Sequence, residues 1–231
     1  MHCLSIKYSL DVQNMPAEIS TNSFLRDRDQ EILHILTKKV PFLSLRQIAD
    51  AFFASDMANA VRRLETLEEN GLLVSYRLNT RTSPEIGAPL AIWNPGQDQP
   101  KTTRIAFQLA KRWLRQGTRM RLCYFAGKKF EAVTGIPCRA KPIHLTQASH
   151  DLGLAAVYLY FRSERPADAA IWIGEKAYTC FEENSQRPDA VLMDASANPM
   201  KVIEYGGIYN AKRLDRFQRW CQRRSLPYEI W

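Results

Sequence analysis

The sequence lacks the features that would place it in a membrane, outside the cell or among disulfide-stabilised proteins. Its 231 residues contain no run of 18 or more apolar residues, so we expect no transmembrane helix. The first residues show no basic start followed by an apolar stretch, so we expect no signal peptide. A cytoplasmic location is therefore predicted. The five cysteines are scattered and include no C-x-x-C pair, which argues against a disulfide framework or a zinc site.

Motifs of several common enzyme classes are also missing. There is no Walker phosphate-binding loop (G-x-x-x-x-G-K-[ST]), no H-E-x-x-H motif and no recognisable Ser-His-Asp set. Nucleotide-driven enzymes and the corresponding hydrolases are therefore poor candidates. The hydrophobic fraction of 45% is ordinary for a folded chain and too high for a disordered one.

Positive charge is present in excess and is concentrated in two segments. The formal net charge is +8, and residues 101–141 contain eleven cations with Glu131 as their single acid. A second basic cluster lies within residues 212–224. Clustered cations suit a polyanion, because their binding releases the counterions condensed on phosphates. The two clusters predict double-stranded DNA as the partner, with a solvated basic surface as the alternative.

Aromatic residues lie between the cations of the first cluster. They are Phe107, Trp113, Tyr124, Phe125 and Phe130. Aromatic rings among cations can stack on nucleic-acid bases. Their spacing nevertheless favours the hydrophobic core for most of them, and base stacking is the alternative.

Residues 24–94 show the pattern of a DNA-binding domain that follows a flexible arm at residues 1–23. Three helices are predicted: one from Arg26 to Lys39, one capped by Ser44, and one from Ser55 or Asp56 to Asn70. Two strands, Leu72–Leu78 and Pro89–Trp93, are expected to pair as a hairpin after them. This order resembles a winged helix-turn-helix domain.

In winged-helix domains the third helix enters the major groove and the hairpin contacts phosphates. The resemblance therefore implies DNA contacts by polar residues of the third helix and the hairpin: Asn59, Arg62, Arg63, Arg77 and Arg81. The alternative is a winged helix that mediates dimerisation or protein contacts.

A Pro- and Gly-containing linker at residues 95–100 is predicted to separate this domain from a second one at residues 101–231. The second domain begins with a basic helix over Thr103–Arg115. Its cations Lys111, Arg112 and Arg115 are expected to contact DNA. The last third of the chain then predicts a helix, three strands, a basic helix and a final strand.

Two acidic residues in this last third are spaced 15 residues apart on a predicted hairpin. Asp189 lies in the segment RPDAVLMD, and Glu204 lies in KVIEYGG. Carboxylates brought together in this way can hold Mg²⁺ or Mn²⁺ through oxygen ligands. Such a metal activates water and stabilises charge on a scissile phosphate.

The element order and these two segments resemble the PD-(D/E)XK nuclease superfamily. The resemblance implies an α+β or α/β, restriction-endonuclease-like core with αβββαβ order, in which Asp189 and Glu204 are metal carboxylates and Glu175 is an upstream acid. The superfamily has a lysine two residues after the second acid, where this sequence has Gly206. Some members supply the lysine from the following helix, where Lys212 lies.

Together with the winged helix and the H-D-L segment that starts at His150, these motifs resemble the replication-relaxation group of plasmid proteins and the related MobC-type mobilisation relaxases. The resemblance implies a mobile-element protein that nicks DNA at a specific site in plasmid mobilisation or replication, with other relaxosome proteins as further partners. It makes His150 a candidate for phosphate contact or proton transfer. The alternative is a polar residue at a helix start that the backbone satisfies.

Three functions remain open from the sequence. The first is a metal-dependent, site-specific DNA nuclease or relaxase, which Asp189 and Glu204 favour. The second is a catalytically inactive nuclease-like DNA-binding regulator or relaxosome accessory protein, which Gly206 favours. The third is a structural adaptor whose winged helix binds protein.

Overall fold

The computed structural model describes residues 25–82, 86–114, 117–129, 144–178 and 187–231, which form a mixed α+β fold with two sheets. The helices are α1 Asp27–His34, α2 Leu45–Phe52, α3 Met57–Glu69, α4 Thr102–Leu114, α5 Leu145–Glu164, α6 Pro166–Ile171 and α7 Ala211–Arg223. The strands are β1 Leu43–Ser44, β2 Leu73–Arg81, β3 Ala91–Trp93, β4 Thr118–Ala126, β5 Trp172–Gly174, β6 Ala190–Met193, β7 Pro199–Glu204 and β8 Tyr228–Ile230.

The three predicted N-terminal helices are confirmed, and their ends follow from local chemistry. Helix α1 passes into a π-helical turn, Ile35–Lys39, just before Pro41. The Ser44 side chain accepts a hydrogen bond from the backbone N–H of Gln47 and caps α2, as the capping box predicts. Asp56 caps α3 in the same way.

The strand that follows α3 does not pair as the sequence predicts. Strand β2 pairs antiparallel with β4, so that the three-stranded sheet has the order β1-β4-β2. The expected partner, Pro89–Trp93, contributes β3 to the other sheet, where it pairs with β8. The hairpin prediction is therefore wrong, because an insertion that contains β3 and α4 separates the two paired strands.

This insertion also interleaves the two predicted units. Strand β3 precedes the predicted linker at residues 95–100 but belongs to the C-terminal sheet. Strand β4 follows the linker but belongs to the N-terminal sheet. The chain therefore crosses between the two sheets on both sides of residues 95–100.

The five-stranded sheet has the order β3-β8-β7-β6-β5. Strand β6 is antiparallel to both β5 and β7, and β7 is parallel to β8, to which helix α7 connects it. This confirms the predicted order of helix, three strands, helix and strand, with the short helix α6 added before β5.

Helices cover both faces of the five-stranded sheet. Successive residues of a strand point to opposite faces, and β6 divides its residues accordingly. Ala190 and Leu192 join the apolar cluster that contains α5, while Val191 joins the cluster that contains α4 and α7. The cluster around α5 also includes the apolar residues of α1 to α3, so a shared core joins the two predicted units.

None of the described helices has the length and apolar character needed to cross a bilayer. Of the five cysteines, Cys123 and Cys221 lie among the described residues, and both are buried free thiols. Of the aromatic residues in the first basic segment, Trp113, Tyr124 and Phe125 are in the core, as expected, and Phe107 is exposed. Phe130 lies outside the described residues.

Candidate active site

Three acidic residues lie in a row at one end of the five-stranded sheet. The register pairs Gly174 with Ala190 and Ala190 with Ile203, which places Glu175, Asp189 and Glu204 at corresponding positions on three neighbouring strands. The Glu175 backbone N–H donates to the carbonyl oxygen of Asp189 at 2.9 Å, which continues the ladder to this row. The predicted acids are thus brought together by strand pairing.

Asp189 is the centre of the row. Its Oδ2 accepts a hydrogen bond of 2.7 Å from the backbone N–H of Tyr205. The same oxygen lies 3.2 Å from Nε2 of His150. These contacts fix the carboxylate of Asp189, because both donors belong to buried or largely buried parts of the fold.

His150 bridges two carboxylates from within helix α5. Its Nε2 faces Asp189, and its Nδ1 lies 3.4 Å from Oδ1 of Asp151. Burial opposes its charge, but Asp189 and Asp151 outweigh that effect and raise the pKa of His150 well above its ordinary value. The helix begins at Leu145, so His150 lies in its second turn and contacts side chains, contrary to the expectation of a helix start.

Glu204 lies behind Asp189 and is only 3% exposed. Its Oε1 accepts a hydrogen bond of 2.8 Å from the Tyr209 hydroxyl, and its Oε2 accepts one of 3.4 Å from the Asp189 backbone N–H. Burial, followed by the charge of Asp189, raises the pKa of Glu204 to about 8. Burial therefore favours the protonated form of Glu204.

A small cavity opens beside the acid row. Its volume is about 50 Å³, which accommodates waters or an ion. Three acidic residues line it, Asp151, Glu175 and Asp189, together with three lysines, Lys38 and Lys39 from the π-helical turn and Lys176 beside Glu175. Desolvation, followed by the charge of Asp189, raises the pKa of Glu175 above its ordinary value. Carboxylates of like charge thus face a common space.

Asp151 is a site residue that sequence reasoning missed. It belongs to the H-D-L segment, but the segment drew attention to the histidine beside it. Its Oδ1 accepts a hydrogen bond of 2.6 Å from Gln147, one helical turn earlier. A buried acid next to a candidate histidine is the signal that could have identified it.

The two lysines that the π-helical turn contributes to the cavity have different surroundings. The Lys39 ammonium donates to the carbonyl oxygens of Ala170 and Trp172 at 2.8 and 2.7 Å, and burial lowers its pKa to about 8. Desolvation also lowers the pKa of Lys38, which is half-buried. Lys39 therefore links the N-terminal helices to β5. Lys38 does not bind those two carbonyl oxygens.

A close approach between α5 and β7 sets the position of His150. A Cβ atom at Gly153 would overlap the ring of Tyr205, so only glycine allows the helix to pack at this distance. His150 lies one turn before Gly153, and its ring packs edge-on against the ring of Tyr205 at 5.6 Å between centroids. Tyr205 in turn provides the N–H that fixes Asp189.

The place of the expected lysine is filled by helix α4. A Cβ atom at Gly206 would overlap the side chain of Leu109, and the Trp113 indole N–H donates to the Gly206 carbonyl oxygen at 2.9 Å. A long side chain cannot occupy position 206 while α4 packs there. The glycine thus follows from the packing of the inserted helix.

Helix α7 presents a different cation to the site from the one predicted. Lys212 and Arg213 are both exposed, and the charge of Arg213 acts on Glu204 and opposes the increase in its pKa. The Arg213 guanidinium lies 3.9 Å from the centroid of the Tyr209 ring, the ring whose hydroxyl binds Glu204. Arg213 is therefore a second residue that sequence reasoning missed.

The donor chemistry of the acid row fits a hard divalent cation. Carboxylate oxygens are the ligands that Mg²⁺ and Mn²⁺ prefer, and Mg²⁺ commonly uses one or two carboxylates and completes its shell with water. Within the described ranges, no group of three or more Asp, Glu, His or Cys residues is placed so that it could hold a metal ion. Glu175 and Asp189 at the cavity offer two carboxylates, which is the number that a water-completed Mg²⁺ site uses.

The residues predicted to contact DNA fall into two groups. Arg62, Arg77 and Lys111 are exposed, and Asn59 is half-buried. The others that the structure describes take part in internal contacts: Arg63 pairs with buried Asp29 at 2.6 Å, and Arg81 donates to the Trp113 carbonyl oxygen. Arg115 lies outside the described residues.

Arg112 is an unusual member of the second group. Its guanidinium lies 5.2 Å from the centroid of the Tyr205 ring. Its Nη1 is buried and has no hydrogen-bond partner within the described part of the chain. An unpaired buried guanidinium nitrogen is costly, so this atom is suited to an anionic ligand such as a phosphate.

Comparison with known proteins adds no relative to this description. No protein-family model, curated protein or solved structure matches the chain.

Proposed function

We propose that the protein is a metal-dependent DNA endonuclease that nicks one strand at a specific site. The observation that carries the proposal is the row of Glu175, Asp189 and Glu204 at the ends of three neighbouring strands, beside a small cavity that Asp151 also lines. The order of the core, with three antiparallel strands, a helix and a parallel strand, agrees with the PD-(D/E)XK resemblance.

A divalent cation would be held by Asp189 and Glu175, with water molecules completing its coordination shell. When bound, such a cation lowers the pKa of a water molecule and stabilises the negative charge that develops on a scissile phosphate. Glu204 is the reserve carboxylate of the row, because its proton and its bond to Tyr209 must both be given up before it can act as a ligand.

The side chains around the acids would divide the remaining tasks. Nε2 of His150 lies 3.2 Å from Oδ2 of Asp189, and we propose His150 as the group that gives a proton to the leaving oxygen when a phosphorus–oxygen bond breaks. Lys38, at the cavity, and Arg112, with its unpaired Nη1, would bind the phosphate. The lysine expected at position 206 is thus replaced by cations from other elements.

We propose that the N-terminal unit recognises the DNA site. Three helices and the sheet β1-β4-β2 agree with a winged helix whose wing carries the long insertion between β2 and β4. Helix α3 exposes Arg62, but it also exposes Glu65 and Glu69, which repel phosphates. The resemblance to plasmid replication-relaxation and MobC-type proteins extends the proposal to plasmid mobilisation or replication.

A second function is favoured by one observation. Both carboxylate oxygens of Glu204 already have hydrogen-bond donors, which is the state of a carboxyl group that serves structure. This arrangement supports a DNA-binding regulator or relaxosome accessory protein with an inactive core.

The experiment that separates the two is cleavage of supercoiled plasmid in Mg²⁺ or Mn²⁺. We expect the wild type to convert a plasmid that carries its site to the nicked form, and Asp189→Asn to lose this activity. Asp98→Asn removes one exposed carboxylate from a loop and is the matched control. If the wild type binds DNA in a salt-dependent way but does not cleave it, the nuclease proposal is wrong and the DNA-binding regulator is favoured.

A further inference from the structure

The outer face of helix α4 combines cations with exposed apolar side chains. Its residues are spaced three and four apart, which places them on one side of the helix: Arg104, Phe107, Lys111 and Leu114. Phe107 is 70% exposed and Leu114 is 81% exposed, the two largest values among the exposed apolar residues of the described chain. A phenylalanine ring so exposed between two cations indicates a surface that binds something flat and anionic.

The charge of this surface is not compensated by the residues that the structure describes. Residues 99–130 contain no acidic residue, and within the described part of the chain neither Arg104 nor Lys111 forms an ion pair. Positive charge extends beyond the helix to exposed Arg119 on β4, beside exposed Met120. The chemistry of the α4 outer face therefore complements a polyanion that also offers planar apolar groups.

We propose that the α4 outer face binds single-stranded DNA. The Phe107 ring stacks on an unpaired base, and Arg104 and Lys111, one turn away on either side, contact the flanking phosphates. This inference deepens the proposed function, and it rests on that function for its purpose: it gives the strand next to the cleavage site a place to lie.

An unpaired strand fits this face better than a duplex does. In duplex DNA each base is already stacked between its neighbours, so an exposed ring on a convex helix reaches phosphates and groove edges instead. In a single strand every base presents a face on which an aromatic ring can stack, whatever its sequence. Against a duplex the Phe107 ring would have no base face to stack on, whereas against a single strand it would contact a base directly.

The position of α4 connects this face to the acid row. The opposite side of the helix contacts Gly206 through Leu109 and Trp113. Arg112, between the two sides, lies against Tyr205, whose N–H binds Asp189. A helix with its side chains is about 10 Å across, so the stacking face lies about one helix diameter from the site.

The test is binding of a fluorescein-labelled oligothymidine and of a duplex of equal length, measured by fluorescence anisotropy in EDTA. Phe107→Ala should weaken binding of the single strand about tenfold. Phe107→Trp should retain the affinity, and Phe107→Leu should lose it, because leucine keeps the apolar surface but has no ring face. Ile92→Ala, at an exposed apolar residue of β3, is the control.

The cations have their own signature. Arg104→Ala and Lys111→Ala should each lower the slope of log affinity against log salt by about 0.7, while Phe107→Ala leaves that slope unchanged. EDTA excludes cleavage, so a failure of the nuclease proposal does not affect this result. The proposal is overturned if Phe107→Ala binds the oligothymidine as tightly as Ile92→Ala does, or if Phe107→Leu retains full affinity, which would indicate an apolar surface for a protein.

Discussion

Two buried glutamates on neighbouring parallel strands are in opposite electrostatic states. Glu229 on β8 binds Arg165 at 2.8 Å and Lys201 at 2.9 Å. Burial alone would raise its pKa, but these two cations keep the pKa of Glu229 below its ordinary value. Glu204 on β7 has a hydroxyl and a backbone N–H as its donors, and its pKa is raised to about 8.

The difference separates a structural acid from a functional one. Evolved structures rarely leave a buried carboxylate uncompensated, and the exceptions cluster at sites that bind or react. Glu229 has its counter-charges within the fold. Among the described residues, His150 is the one basic side chain within ion-pair distance of the row of Glu175, Asp189 and Glu204, and the remaining charge of the row is available to a ligand. The predictions that follow test this contrast.

The largest expected effects are a reciprocal pair. Glu229→Gln should lower the free energy of unfolding by about 3 kcal/mol, because it leaves Arg165 and Lys201 without their partner. Below its melting temperature it should still cleave DNA. Asp189→Asn should keep the fold and lower the cleavage rate by about 10³-fold or more. Urea unfolding measures the stability of both variants, and plasmid nicking measures their cleavage rates. An equal loss of cleavage in the two variants would contradict the distinction between a structural and a functional acid.

The next effect concerns the packing that positions His150. Gly153→Ala places a methyl group in the volume of the Tyr205 ring, which should cost about 2 kcal/mol and displace the N–H that binds Asp189. Ala156→Ser, at a half-buried position of the same helix, is a control of similar size. We expect reduced cleavage for Gly153→Ala at a temperature where circular dichroism shows it folded, and unchanged cleavage would show that Tyr205 does not support the site.

The two glutamates should also give opposite pH dependences. The unfolded chain releases the Glu204 proton near pH 4.5, but the folded chain keeps it to about pH 8, so this residue lowers stability as pH rises between those values. Glu204→Gln should therefore raise the free energy of unfolding by about 1–2 kcal/mol at pH 8.5 and leave it nearly unchanged at pH 4.

Glu229 follows the reverse rule. Its contribution is present above its unfolded pKa and is lost as pH falls through its lowered folded pKa. The deficit of Glu229→Gln should thus shrink below about pH 4.5, whereas the advantage of Glu204→Gln should grow between about pH 4.5 and 8. Urea denaturation between about pH 2 and pH 9 measures both effects. Parallel curves for the two variants would contradict the assignment of opposite states.

The smallest effect distinguishes helices α3 and α4 as sources of DNA attraction. Arg62 on α3 shares its exposed face with Glu65 and Glu69, while Lys111 on α4 has no acid nearby in sequence. In binding to a random duplex, Lys111→Ala should cost about twofold to fivefold in affinity at low salt, and Arg62→Ala should cost less. A larger effect of Arg62→Ala than of Lys111→Ala would show that α3, not α4, makes the main phosphate contact.

Local chemistry allowed much of the fold to be predicted from the sequence. Caps such as Ser44 and Asp56 depend on residues three positions away, so the sequence identifies them directly. Strand β2 pairs with β4, which an inserted segment separates from it in sequence. The sequence instead predicted a hairpin with the next strand along the chain, and that prediction is wrong. Alternation and length predict a strand, but they do not identify its neighbour.

The candidate site divides along the same line. Asp189 and Glu204 were found because hairpin pairing is local in sequence. Asp151, Lys38 and Arg213 come from three separate elements, and their approach to the acids depends on helix packing that no spacing in the sequence encodes. Gly206 was interpreted as a missing lysine, whereas Leu109 of a distant helix explains why glycine is there.

The central claim is that the acid row holds a divalent cation, and Mn²⁺ binding followed by electron paramagnetic resonance tests it most directly. The signal of free Mn²⁺ decreases when the ion binds to protein, so neither DNA nor activity is needed. We predict that the wild type depletes the free signal at pH 7.5, that Asp189→Asn and Glu175→Gln weaken this binding by tenfold or more, and that Glu229→Gln binds as the wild type does. Equal Mn²⁺ binding by the wild type and Asp189→Asn would contradict the claim.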